Sequence, residues 1–114
     1  MGQQKKRTAK ARQVRLSHNA IKNIDEITGY VALIKKEPLN AIHLGDAIFD
    51  TIGRISVNPL AFRECEQLAT KSKIYRRAAC FSWSIIYKVL ETEIIILGII
   101  HQSRQSVHIS ALRK

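Results

Sequence analysis

Three strand-like segments follow one another between residues 74 and 101 with almost no chain between them. In the second, the side chains alternate with the period of two that a strand shows: Trp83, Ile85, Tyr87 and Val89 with Ser84, Ile86 and Lys88. The third holds seven consecutive apolar residues, Ile94–Ile100, which is typical of an interior strand covered on both faces. The links at Ser82 and at Glu91-Thr92 are short enough for hairpins. We therefore expect antiparallel neighbours in one sheet, formed by Ile74–Phe81, Trp83–Val89 and Glu93–His101.

Two amphipathic stripes precede these strands and predict two helices. Ser17 is a plausible N-cap, and Pro38 suits the first turn of the second helix. Apolar residues then recur at three- and four-residue steps, and the pattern stops at Asn58-Pro59. The short connection between the stripes predicts an antiparallel helix hairpin. The first stripe is Ile21, Ile24, Ile27, Val31 and Ile34, and the second is Ala41, Leu44, Ala47 or Ile48, Ile52 and Ile55.

The order of elements predicts an α+β fold with two layers. Gln13–Leu16 alternates polar and apolar residues, as a short strand with one buried face does. A strand, two helices and a three-stranded antiparallel meander can complete one sheet with both helices on one face. Residues 60–73 are predicted to be a polar loop with at most one short helical turn. The opposite face of the sheet is expected to be partly open, and we expect function there.

The charge of the chain is large and unevenly distributed. Lys and Arg outnumber Asp and Glu by 19 to 9, which gives a formal net charge of +10. The first 15 residues contain six of the basic residues and no acidic one. Such a surplus predicts an anionic partner. The expected organisation is a flexible basic arm at 1–12, a folded domain at 13–104 and a C-terminal tail at 105–114.

Several classes of protein are disfavoured by the sequence. The longest apolar run has seven residues, whereas about 20 are needed to cross a bilayer, so no membrane association is expected. No apolar stretch follows the basic N-terminus, which predicts a cytoplasmic protein with reduced cysteines at 65 and 80. The histidines lack the spacing of a zinc site, and no cofactor or metal is predicted; they are His18, His43, His101 and His108.

Polar and charged residues on the last three strands are the candidate functional residues. They are Tyr75, Arg76, Arg77, Lys88, His101 and Arg104. Because neighbours in a strand point to opposite faces, at least one of Arg76 and Arg77 is expected on the open face. There a cationic surface could hold a phosphate backbone or an acidic peptide. The alternative is that the arginines are only solvated and that Tyr75 only packs.

The chain resembles the RelE/ParE superfamily of toxins over residues 13–104. The resemblance rests on Ile74-Tyr75-Arg76-Arg77, on Trp83–Val89 and on Ile94–His101 closing with Arg104, in this order and spacing. The first strand, the first helix with Tyr30 and the Ile55–Pro59 helix end agree with it. The resemblance implies a bacterial type II toxin that a cognate antitoxin holds inactive.

The superfamily contains two activities, and the resemblance favours one of them. ParE-like members inhibit DNA gyrase by binding it, whereas RelE-like members cut mRNA on the ribosome with basic residues and a C-terminal tyrosine or histidine. No tyrosine follows Tyr87, which favours the ParE-like branch and a protein that is not an enzyme. Partner contacts are then expected at Tyr75, Arg76, Arg77, Lys88 and Arg104. The alternative is a metal-independent endoribonuclease, whose site would be His101, Arg77 and Arg104. Lys71 and Lys73 support this alternative, because the resemblance gives ribosome-dependent members lysines in the same loop.

Overall fold

The computed structural model describes residues 12–103 and 106–113, and it has the α+β architecture that the sequence predicts. A single π-helical turn follows α1 at Tyr30–Ile34. Most of the predicted basic arm lies outside the described residues, but Arg12 donates from its Nε to the carbonyl of Leu90 at 2.8 Å. The elements are β1 (Gln13–Leu16), α1 (His18–Gly29), α2 (Pro38–Val57), β2 (Tyr75–Cys80), β3 (Trp83–Val89), β4 (Glu93–His101) and α3 (Ser106–Ser110).

The four strands form one sheet in the order β1-β4-β3-β2. The three later strands are antiparallel, as predicted, and β1 joins β4 in parallel with Gln13 opposite Glu93. The strand with the long apolar run is interior, which confirms the interpretation of that run. A β-bulge interrupts the β3–β4 register next to Gly98, where an added Cβ would lie 3.0–3.1 Å from three side-chain atoms. Gly98 therefore permits close packing at the bulge.

The first helix begins where the sequence predicts, but its apolar stripe is only partly buried. The hydroxyl of Ser17 caps the helix by accepting from the Ala20 N–H at 3.0 Å. Ile24 and Ile27 are buried, whereas Ile21 is 47% exposed and Ile34 is 67% exposed. The prediction of one continuous stripe was therefore wrong. A π turn contains more residues than an α turn, so the positions after Gly29 leave the 3.6-residue register.

The second helix agrees with its predicted stripe. Pro38 occupies the first turn, and the helix ends at Val57, directly before Asn58-Pro59. Ala41, Ile48, Ile52 and Ile55 are buried. Within the described ranges, no helix has both the length and the apolar character needed to cross a bilayer.

Two apolar clusters lie on the two sides of the sheet. The cluster on the helix side joins α1 and α2 to the sheet, with Ile48, Ile55, Ile85, Tyr87 and Ile96 among its fully buried members. The cluster on the other side, called the outer side here, consists of Cys65, Leu68, Tyr75, Ile86, Leu97, Ile109 and Leu112. Both faces of the central strands are therefore covered.

The outer side is open only near Arg77 and Ala79, and the rest of it is covered by segments that the sequence did not predict there. Cys65 and Leu68, in the connection that was predicted to be a polar loop, are completely buried there, and two 3-10 turns lie at Pro59–Ala61 and Glu66–Leu68. From the segment predicted as a C-terminal tail, Ile109 and Leu112 pack on the same cluster. Isolated apolar residues in a polar stretch do not form a periodic pattern, so neither covering segment is visible in the sequence.

Candidate protein-binding site

Arg76 and Arg77 lie on opposite sides of β2, as strand geometry requires. Arg76 pairs with Tyr87 on the helix side. Its guanidinium donates to three backbone carbonyls, those of Phe62 at 2.8 Å, Lys73 at 3.0 Å and Leu60 at 3.4 Å. Arg76 thus holds the connection between α2 and β2 in place, which is a structural use of its charge.

Arg77 lies on the outer side in a small polar cavity. Its NH2 group donates to the hydroxyl of Ser84 at 2.7 Å, and its NH1 group donates to the side-chain carbonyl of Gln67 at 3.4 Å. The cavity has a volume of about 220 Å³, and Arg63 is a second arginine among its lining residues. Burial raises the pKa of the nearby Cys65 thiol, and the charge of Arg77 opposes that rise. This pair of arginines makes the cavity cationic.

Tyr75 and Lys88 form a cross-strand pair, but Tyr75 is not an exposed contact. Only 3% of Tyr75 is accessible. Lys88 places its Nζ 5.7 Å from the centre of the ring, and the guanidinium of Arg113 lies 5.4 Å from it. The ring therefore packs and interacts with two cations, consistent with the alternative that Tyr75 only packs.

His101 lies at the end of β4, opposite Trp83, and their ring centres are 4.9 Å apart. Its Nδ1 lies 2.8 Å from the hydroxyl of Ser103. Because Trp83 and His101 lie on the helix side and Arg77 lies on the outer side, the structure does not bring His101 and Arg77 together. Arg104, the third residue of the alternative nuclease site, lies outside the described residues.

The feature that the sequence interpretation missed is a second stripe on α2. It consists of exposed residues three or four positions apart, opposite the buried stripe. Leu39 is 69% exposed, Phe49 53% and Val57 85%. The same spacing is present in the sequence, so a search for two stripes on one helix would have found it. We call this surface the outer stripe of α2: Leu39, Ile42, Asp46, Phe49, Gly53 and Val57.

A groove continues the outer stripe toward the sheet. It has a volume of about 980 Å³ and lies between the C-terminal half of α2, the following connection and the end of β2. Apolar and small residues dominate its lining, with Asp50 and Arg54 as its charged members; the others are Ala47, Thr51, Gly53, Val57, Asn58, Ala61, Phe62, Ala79, Cys80 and Phe81. This size and lining fit a segment of a partner protein.

The groove ends at a strand edge and at an exposed aromatic ring. On the edge of β2 that faces away from β3, the first half of the strand pairs with the chain around Glu64. No described residue pairs with that edge at Ala78, Ala79 and Cys80. Phe81, in the β2–β3 turn, is 72% exposed and has a φ of 54°. A bulky residue rarely adopts this left-handed conformation, so the hairpin turn holds Phe81 in a strained position at the rim of the groove.

Comparisons with known proteins agree with the fold. The family model described as the ParE toxin of the type II toxin–antitoxin system parDE matches residues 14–106. The structure is similar to the chromosomal ParDE toxin–antitoxin system from P. aeruginosa, with 19% sequence identity, a TM-score of 0.64 and coverage of 82% of this chain and 98% of that chain. It is also similar to the RelBE2 toxin–antitoxin complex from Mycobacterium tuberculosis, with 16% identity, a TM-score of 0.48 and coverage of 80% and 98%. The search of curated proteins found no match.

Proposed function

Because the chain belongs to the ParE toxin family of type II toxin–antitoxin systems, we propose that it inhibits DNA gyrase by binding it. We propose further that a cognate antitoxin holds it inactive by covering the outer stripe of α2 and the groove. Both functions are binding functions, and both fit a cytoplasmic protein.

Exposed apolar surface on the helix hairpin supports an antitoxin. Leu33 and Ile34 in the π turn are 76% and 67% exposed, and the outer stripe adds Leu39, Ile42 and Phe49, all more than half exposed. Contiguous apolar surface of this kind marks interaction sites. A partner that covers it gains about 25 cal/mol for each Å² of apolar surface removed from water.

The arrangement of the sheet supports inhibition by binding over RNA cleavage. Cleavage without a metal requires an acid–base group and cations on the same phosphate. His101 and Arg77 are on different sides of the sheet, and the ring of Tyr75 is buried. This separation is the observation that most favours the gyrase-binding proposal over the nuclease alternative.

A supercoiling assay with the purified full-length chain tests the proposal. We expect the toxin to inhibit gyrase and the antitoxin, encoded in the neighbouring reading frame, to restore supercoiling. Gyrase that is unimpaired at a large molar excess of toxin would contradict the proposal. A parallel experiment, toeprinting of translating ribosomes, tests the nuclease alternative. Cleavage in the A site that is abolished by His101→Ala would support the endoribonuclease instead.

A further inference from the structure

Asp46 on the outer stripe of α2 and Asp50 in the neighbouring groove place two negative charges on a strongly cationic chain. Asp46 and Asp50 are both exposed and lie one helical turn apart, between Ile42, Phe49 and Gly53. Asp50 also lines the groove. The net charge of +10 predicts an anionic partner for the whole molecule, whereas this part of α2 presents two carboxylates and one guanidinium, that of Arg54.

Within the described part of the chain, neither carboxylate is in a salt bridge. The salt bridge found among residues 12–103 and 106–113 joins Arg15 to Glu93 on the sheet. Arg54, one turn after Asp50, instead donates from its guanidinium to the hydroxyl of Thr51 at 3.1 Å. Carboxylates four positions apart on a helix repel each other, and both lie away from the helix N-terminus, where the dipole would favour them.

We propose that Asp46 and Asp50 determine antitoxin specificity: they select a partner segment that presents a lysine or arginine beside the apolar residues that fill the groove. This inference rests on the proposed function and names the chemistry of the partner. Apolar residues around the pair exclude water when the segment binds, which strengthens the attraction between the carboxylates and a partner cation. A segment with an acidic residue at that position would be rejected by like-charge repulsion.

The test measures antitoxin affinity with the full-length toxin and the antitoxin from the neighbouring reading frame. The variant is Asp46→Asn/Asp50→Asn, and Glu91→Gln in the exposed β3–β4 turn is the control that removes a carboxylate elsewhere. We expect the double variant to raise the Kd roughly tenfold or more, and the difference from wild type to shrink as salt is raised from about 0.1 M to about 0.5 M. Glu91→Gln should leave the Kd within about twofold of wild type.

A charge swap separates specificity from folding. Asp46→Lys/Asp50→Lys should lose the wild-type antitoxin, and an antitoxin whose facing basic residue is changed to glutamate should regain binding. Thermal unfolding of the Asn variant should show a Tm close to that of wild type, since it removes both the like-charge pair and the favourable spacing of Asp50 to Arg54, two effects of similar size and opposite sign.

Three outcomes would overturn the inference, and they differ in what else they affect. If the double variant binds the antitoxin as tightly as wild type, only the role of the two aspartates fails. If the wild-type chain does not bind the antitoxin at all, the proposed function fails as well. If the free chain forms a dimer that the double variant alters, while antitoxin binding is unchanged, the outer stripe accommodates a second copy.

Discussion

Tyr87 joins the sheet to the turn that follows α2 through one hydrogen bond. It is fully buried, and its hydroxyl donates to the carbonyl of Pro59 at 2.6 Å. Its ring meets Phe62 edge-on, with ring centres 6.4 Å apart. Burial raises the pKa of the Tyr87 hydroxyl above its ordinary value, and the charge of Arg76 opposes that rise only in part. The neutral phenol is therefore the form that the fold requires.

Replacing Tyr87 by phenylalanine should lower stability and remove a pH dependence. Tyr87→Phe leaves the Pro59 carbonyl without its buried donor, which should cost about 1–3 kcal/mol of unfolding free energy near neutral pH. In wild type, the contribution is complete below about pH 10 and is lost as pH rises further, because the unfolded tyrosine ionises first. Urea unfolding at several pH values measures both effects. The control is Tyr30→Phe on the exposed Tyr30; equal alkaline slopes in Tyr87→Phe and wild type would contradict the prediction.

The two adjacent arginines show what a sequence predicts at the scale of single residues. Their placement on opposite sides follows from strand geometry alone. The partners of Arg76 do not, because the carbonyls of Leu60 and Phe62 belong to an irregular connection whose path depends on the packing of the rest of the chain. The predicted partner contacts at Arg77 and Lys88 remain predictions.

At the scale of elements, the outer stripe of α2 has a testable role in antitoxin binding. Phe49→Asp places a charge in the middle of an apolar interface, which should weaken antitoxin binding about 100-fold or more. The substitution should not unfold the protein, because the Phe49 side chain is already 53% exposed. Thr92→Asp in the exposed β3–β4 turn is the matched control. Isothermal titration gives the affinities. In cells, the Phe49→Asp toxin should remain toxic when the antitoxin is co-expressed; full neutralisation would contradict the assignment of the surface.

The short helix α3 stabilises the outer side of the sheet. Ile109 is completely buried against the outer cluster. Ile109→Ala should therefore lower the unfolding free energy by about 2 kcal/mol or more, and hydrogen exchange should rise first in residues 106–113. Ser110→Ala, on the exposed face of the same helix, should change stability by less than about 0.5 kcal/mol. Equal effects of the two variants would show that α3 does not depend on this contact.

The elements themselves were largely predictable, and the exceptions have a physical cause. The alternation of polar and apolar residues predicted β1, short links between apolar segments predicted the three-stranded meander, and Pro38 with a periodic apolar stripe predicted α2. The π turn after Gly29 was not predicted, because its sequence continues the helical pattern while its hydrogen bonds do not. Of the candidate protein-binding site, the sequence predicted only residues on the strands and none on α2. The spacing of the outer stripe is present in the sequence, but Asp46 and Gly53 make it less apolar than the buried stripe of the same helix, which was the one predicted.

At the scale of the whole molecule, antitoxin binding should raise thermal stability strongly. The free chain exposes ten large apolar side chains among the residues described, from Ile21 to Phe81. A partner that binds only the folded state adds RT ln(1 + [L]/Kd), about 2.7 kcal/mol at a concentration of 100 Kd. For a domain of this size, the Tm should rise by roughly 10 °C. Differential scanning calorimetry measures the shift, and a Tm independent of antitoxin concentration would contradict it.

The parallel pairing of β1 with β4 affects when the toxin can form during translation. Gln13 leaves the ribosome early, yet its partner Glu93 is 80 positions later in the chain. The first strand must therefore wait, unpaired, until most of the polypeptide has been synthesised. The four-stranded sheet, and with it the folded domain, is therefore complete only after β4 has been synthesised.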